Sequence, residues 1–471
     1  MVRILILSLI SMSLWGADKA ESIHALLSKY HEQGWFNGSA LVSDNGAVIL
    51  KRGYGMANME WGIANTPDTK FRLGSITKQF TAALVLQLVE QGKLQLSAPL
   101  TRYLPDYPAK NGDRITVHQL LNHSSGIPGY TELPQFREWA LIPSTPAAFV
   151  AKFSKLDLLF QPGTKFSYSN SGFFVAGYLV EKITGKPYAD VLRERIFEPL
   201  GMRDSGYDMP ATLLSKRASG YDATFDGYRN TGYLDMTLPY AAGSLYSTVE
   251  DLYKWDQGLY GDVILKPSSK ERMFTPGLAD QGYGFVVRTQ NGVKTISHGG
   301  AINGFNGVIV REPDTKRLVV LLNNTGGAPL AEMETKIREI LRGGPAPAMP
   351  RPQGAPVLLK TYQTSGIQAV LAQIDVDKTN DVREGQLSRL VSYLLGSRRT
   401  DDALTLAKAI VERNPKSANA ATLLARVHQA AGNRVEALQA YGRALELSET
   451  PRAFPTIGDE IRKLSVFELN K

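Results

Sequence analysis

Three short polar stretches of this chain carry residue types suited to acyl chemistry: Ser75-Ile76-Thr77-Lys78, Tyr168-Ser169-Asn170 and His298-Gly299-Gly300. In the first, a lysine follows a serine by three residues. On a helix the two share a face one turn apart, and the lysine nitrogen can reach the serine oxygen. The run from Phe80 to Val89 is apolar almost all round, which predicts a helix through a core that stops near Gln91-Gly92. A lysine at the buried end of such a helix is costly unless it is paired or neutral. Ser75 would sit at the helix N-terminus, where unpaired N–H groups and the dipole favour the negative charge of an attacking oxygen and of an acyl-transfer oxyanion. The competing reading is a helix cap beside a solvated lysine. Ser75-x-x-Lys78 is the chain's one such spacing, but so short a motif arises by chance and does not decide between the two.

A nucleophile needs partners. Pro162-Gly163 makes a turn, and Tyr168-Ser169-Asn170 then precedes a helical apolar run from Phe173 to Val180. A phenol near a lysine is pushed toward phenolate, which would let Tyr168 act as general base; the Asn170 amide can orient a substrate carbonyl or Lys78. Tyr228-Arg229-Asn230 repeats the spacing but lies in polar "FDGYRNTG" with no helix behind it, and reads as a surface loop. The third stretch reads as a strand ending in His298-Gly299-Gly300, whose absent side chains let backbone approach a ligand; a plain bulge or turn is the alternative.

The elements that must hold these residues are an antiparallel sheet and helices, an α+β fold. "GSALVSDNGAVILKRGYG" reads as a hairpin turning at Asp44-Asn45-Gly46, and "YGFVVRT", "KTISHGG", "FNGVIVREP" and "RLVVLLNN" as strands far downstream. The sheet is therefore expected to draw on both ends of a domain over 21–342, with a helical region inserted between. Residues 343–358, Pro- and Gly-rich, read as a stiff linker. Over 359–450 the pattern is helical, with Ala403-Leu404 and Ala437-Leu438 recurring at a spacing of 34, which suggests tetratricopeptide-like repeats offering a groove to a peptide or protein; a plain helical bundle is the other reading. Residues 451–471 form a tail.

At the N-terminus, Arg3, the apolar stretch Ile4–Leu14 and the small residues Gly16, Ala17 and Ala20 have the layout of a signal peptide over 1–17, cut after Ala17 or Ala20. The protein is thus expected to be periplasmic or secreted, without a transmembrane helix. The 471 residues contain no cysteine, which excludes disulfides, a catalytic thiol and a cysteine-borne lipid anchor. The net charge of +8 is spread diffusely, with no Lys/Arg run longer than two, so no nucleic-acid partner is expected. His118 and His123 do not make a metal pair, His123 reads as closing a short helix before the Ser124-Ser125-Gly126 turn, and no cofactor or metal is indicated.

Taken together, "RLGSITKQFTAAL", "LLNHSSGI", "PGTKFSYSNSGF", "AAGSLYSTVEDLYKW" and "SHGGAINGF" resemble, in order, the serine β-lactamase and penicillin-binding protein superfamily, specifically the class C β-lactamase-related serine hydrolases. The resemblance covers roughly Ser39 to Arg342 and implies a helix-flanked sheet of the five-stranded type. It implies that Ser75 is the acylated nucleophile, that Lys78 and Tyr168 share the proton traffic, that Asn170 positions substrate and lysine, and that the N–H groups of Ser75 and Ala301 form the oxyanion hole. Where those β-lactamases carry Lys-Thr-Gly, this chain has His298-Gly299-Gly300, which turns the expectation toward esterases, D-amino-acid peptidases and carboxypeptidases. The substrate is expected to be a small molecule or peptide with a scissile carbonyl. A β-lactam- or peptide-sensing scaffold that works through the repeats is the alternative of a different class.

Overall fold

The computed structural model describes residues 18–209, 211–224, 227–344, 355–376, 384–448, 457 and 460–461. The expected signal peptide, 1–17, lies outside the described residues, as does nearly all of the tail 451–471. Two compact units emerge, one within residues 1–222 and 230–349 and one built mainly of 350–471.

The first unit is organised on a six-stranded antiparallel sheet: β1 (Gly38–Asp44), β2 (Ala47–Tyr54), β3 (Val286–Gln290), β4 (Val293–Ile302), β5 (Phe305–Glu312) and β6 (Arg317–Asn323), in the order β3-β4-β5-β6-β1-β2. It holds one strand more than the five-stranded type, because each of the segments singled out in the sequence pairs. The two ends of this unit meet where β1 lies beside β6, with Leu41 opposite Val320. Asn45 and Gly46 both have positive φ, 52° and 81°, as a two-residue hairpin turn with the native strand twist requires.

At the centre of this sheet both faces are buried, which is why β6 reads as an unbroken apolar run rather than an alternating one. Val319 and Leu321 face one layer, packing with Ile23, Leu26 and Leu27 of α1 (residues 18–32) and with Met333 and Ile337 of α2 (Leu330–Leu341). Leu318, Val320 and Leu322 face the other, the main core that holds Phe80 and Trp255.

Between β2 and β3 the chain is largely helical. The helix Thr77–Glu90 is buried on nearly every side and ends as expected at Gly92: the Gly92 N–H donates to Val89 O and the Lys93 N–H to Leu88 O, both at 3.0 Å. Two of its polar side chains find partners in the core: Gln79 Oε1 accepts from Trp255 Nε1 at 2.9 Å and Thr81 donates to Ala241 O at 2.6 Å. A second core helix, Asn170–Thr184, starts on a cap from Ser169, whose Oγ accepts the Gly172 N–H at 3.2 Å. Tyr228–Asn230 is a short exposed strand rather than a loop, with no helix behind it.

Among the described residues the second unit holds the helices Ala355–Val376, Glu384–Gly396, Thr400–Arg413, Ala418–Ala430 and Arg434–Glu446. The first begins inside the stretch read as linker, since a first helical turn tolerates proline, and is interrupted at Gly366, φ 74°. Thr400 and Arg434 open helices 34 residues apart, and the repeated Ala403 and Ala437 are both fully buried. No helix among the described residues is long and apolar enough to cross a membrane.

Candidate active site

Ser75 is half-buried in the single 3-10 turn Gly74–Ile76, which leads straight into Thr77–Glu90. It does not cap that helix: Ile76 occupies the cap position and neither turn start has a side-chain cap bond. Lys78, fully buried, brings Nζ 2.9 Å from Ser75 Oγ, 2.8 Å from Asn170 Oδ1 and 2.8 Å from Ala242 O. Two of these partners are carbonyl oxygens and can only accept. A neutral amine has two N–H bonds and one lone pair, so satisfying both carbonyls leaves the lone pair for the Ser75 hydroxyl. Burial holds the Lys78 pKa well below that of a free lysine, and among the described residues no carboxylate meets it.

Tyr168 stands over the same amine, with Lys78 Nζ 4.9 Å from the ring centroid. Burial raises its phenol above the usual value, while the hydrogen bond with Ser75 acts the other way. The shift runs against the expected phenolate, because burial of the phenol outweighs its hydrogen bond with Ser75. Asn170 is fixed from both ends of its amide, since Nδ2 donates to Thr131 Oγ1 at 3.1 Å while Oδ1 accepts from Lys78.

Strand β4 does not end at Gly300 but runs on to Ile302, paired with β5 as Gly300 to Gly307 and Ala301 to Asn306. It lies hard against the Ser75 turn. A Cβ on Gly300 would fall 1.9 Å from Leu73 O and 3.1 Å from Ser75 N; one on Gly74, φ 53°, would fall 2.8 Å from Ala301 N. Only glycine permits this approach, which places the backbone of Ser75 and Ala301 side by side. Gly300→Ala is expected to displace β4 and lower the rate of Ser75 acylation about 10²–10³-fold, as for loss of one oxyanion donor. Gly299→Ala, whose Cβ would meet nothing closer than Gly307 O at 3.6 Å, is expected to stay near wild type; parallel labelling rates with a fluorophosphonate compare the two.

His298 is buried, and its Nδ1–H donates to Gly299 O. Burial, the largest cause, lowers its pKa from 6.5 to about 4. It is neutral at pH 7 and offers no permanent cation to a substrate carboxylate. An unfolded histidine keeps its ordinary pKa, so between pH 6.5 and 4 the unfolded chain binds a proton that folded His298 refuses. Stability is thus lost as pH falls through that window, reaching of order 3 kcal/mol at its lower end. Thermal unfolding should show a larger drop in Tm from pH 7 to 4.5 for wild type than for His298→Gln; equal drops would refute the assignment.

His123 is not free to act as a base on substrate: it is buried, at φ 60°, with its ring stacked on Tyr168. His118 is occupied elsewhere, with Nδ1 2.6 Å from Tyr283 Oη and Nε2 3.0 Å from Asn122 Nδ2. No cluster of metal-ligating side chains occurs among the described residues. The structure thus brings Ser75, Lys78, Tyr168 and Asn170 together, with β4 as their wall. It adds Ala242 and Thr131, which the sequence did not reveal; Ala242 acts through a carbonyl, which has no side-chain signature.

A serine at a helix start, hydrogen-bonded to a buried lysine beside a sheet strand, belongs to the serine hydrolases related to β-lactamases. The chain is a member of the Beta-lactamase family, whose model matches residues 23–342, and a Tetratricopeptide repeat model matches residues 394–453. It is 33% identical to the putative penicillin-binding protein PbpX of Bacillus subtilis, over 67% of this chain and 78% of that one. The D-aminopeptidase of Brucella ovis is 28% identical, over 60% of this chain and 54% of the relative. Among solved structures, the D-amino acid amidase of Ochrobactrum anthropi SV3 superposes with a TM-score of 0.61 at 27% identity, covering 69% of this chain and 99% of that one.

Proposed function

We propose that the protein is an exported hydrolase that cleaves an amide or ester next to a D-amino acid through an acyl-enzyme on Ser75. The observation that carries this reading is the Lys78 amine, held by Asn170 and Ala242 with its remaining valence toward Ser75. Neutral Lys78 takes the hydroxyl proton as Oγ attacks the carbonyl carbon, and the N–H groups of Ser75 and Ala301 receive the developing oxyanion. Tyr168, still protonated, gives its proton to the leaving nitrogen or oxygen and is reprotonated by Lys78. Water, deprotonated by the same pair, then releases the acyl group, and Ser75 regains its proton.

The D-amino-acid preference rests on the D-aminopeptidase and amidase likenesses and on the wall strand. Neutral His298 and bare Gly299 provide neither the cation nor the hydroxyl that would hold a carboxylate beside the scissile bond. A D-alanine anilide and its L isomer, a nitrophenyl ester, a D-Ala-D-Ala peptide and a chromogenic cephalosporin test this side by side. Faster turnover of the D-amide or the ester than of the two carboxylate-bearing substrates is expected; cephalosporin turnover dominating would sink the substrate reading, and inertness toward all, with Ser75 unlabelled by fluorophosphonate, would sink the hydrolase.

The repeats are assigned to docking of a protein or peptide, and the N-terminal segment to export to the periplasm or medium. Truncation after Gly343 should leave turnover intact and abolish complex formation, and fractionation of producing cells checks location.

A further inference from the structure

We infer that His123 is the positioning residue for Tyr168, gripping the tyrosine's backbone on both sides and its ring from behind. This rests on the reading of Tyr168 as part of the proton traffic. Residues 166–169 have no regular secondary structure, so the phenol is only as well placed as its loop is held. One residue supplies three of the restraints. The Ser167 N–H donates to His123 O at 2.9 Å, and the Ser169 N–H donates to His123 Nδ1 at 3.1 Å. The imidazole lies nearly flat on the Tyr168 ring, with centroids 4.3 Å apart and planes at 28°. Phe173 closes the stack, 5.1 Å from the imidazole.

The choice of residue type argues for this role over simple turn closure. Because Nδ1 accepts, the ring hydrogen is on Nε2, and Nε2 is buried with no hydrogen-bond partner among the described residues. An orphaned donor is a cost that closing a turn does not by itself call for. Phenylalanine would stack on Tyr168 but could not accept from Ser169; asparagine would accept but not stack. Histidine does both, and the left-handed backbone at φ 60°, a region in which histidine is enriched among non-glycine residues, lets its carbonyl and its ring serve the same loop.

A double-mutant cycle on the full-length protein tests the inference, with kcat and KM for a nitrophenyl ester measured for His123→Phe, His123→Asn, Tyr168→Phe and both double variants. Near-UV circular dichroism identifies the folded ones. Each His123 substitution is expected to lower kcat about 10- to 100-fold with KM little changed, the scale of an ångström-sized misplacement. In the Tyr168→Phe background the same substitution should cost less than about twofold, because the group it positions is already gone. Equal losses in both backgrounds, or a wild-type kcat in His123→Phe, would overturn the positioning role while leaving the catalytic reading intact. If Tyr168→Phe itself turned over like wild type, the role of Tyr168 would fall and that of His123 with it.

Discussion

Ser75→Ala is expected to lower turnover by roughly 10⁴–10⁶-fold, the scale on which removal of a nucleophile abolishes a covalent route, and to end labelling by fluorophosphonates. The size follows from the layout of the site: Lys78 Nζ lies 2.9 Å from this one hydroxyl, and β4 closes on the backbone of the same turn. Among the described residues no second hydroxyl bonds to Nζ, whose other partners are the Asn170 and Ala242 carbonyls. Alanine removes only the hydroxyl, so the variant should fold with wild-type circular dichroism and keep binding substrate. Active-site titration with a chromogenic ester would show no burst. A burst of wild-type size in Ser75→Ala would require another nucleophile and would overturn the acyl-enzyme assignment at this residue.

How much of this site could be read in advance depended on distance along the chain. Ser75 and Lys78 are one turn apart, so a helical pattern alone brought them together. Asn170 lies 92 residues from Lys78, and Ala242 lies 164 away. The Tyr-Ser-Asn stretch was legible because its own residues are ordered by local chemistry, Ser169 being the cap of the helix that Asn170 begins. Ala242 left no trace, since any residue offers the same carbonyl. The sheet was legible from its β-branched runs and the Asn45-Gly46 turn. The end of β4 was misplaced for an instructive reason: the glycines at 299 and 300 looked like a strand terminus. Pairing with β5 carries the strand on to Ile302, and Gly300 is there because Leu73 O leaves no room for a Cβ.

The error over Tyr168 came from charge, not from placement. A lysine in a sequence is taken as a cation, and a cation would draw a neighbouring phenol toward phenolate. Enclosure by the core works against this, because the same burial that strips water from Lys78 lowers its pKa and raises that of Tyr168. The proposed proton order rests on that reversal: amine first as acceptor, phenol first as donor.

Lys78→Arg separates a base from a mere cation and should be as damaging as Lys78→Ala. If Lys78 acted as a fixed positive charge, arginine would preserve the function, being protonated at every accessible pH. If it acts as the neutral amine that its burial and its two carbonyl partners imply, arginine has no lone pair to offer and turnover should fall about 10²–10⁴-fold, the usual worth of a positioned general base. The pH profile gives the same answer independently. Lys78 with a depressed pKa becomes active as pH rises through that value, so wild-type kcat/KM should climb along an acid limb and reach its plateau well below the pH at which a free lysine discharges. In Lys78→Ala the residual rate should lose that limb, and an added small amine of matching pKa should restore part of it. Substantial activity in Lys78→Arg, or an acid limb unchanged in Lys78→Ala, would move the first proton transfer away from the lysine and leave Tyr168, against the direction of its shift, as the group that must perform it.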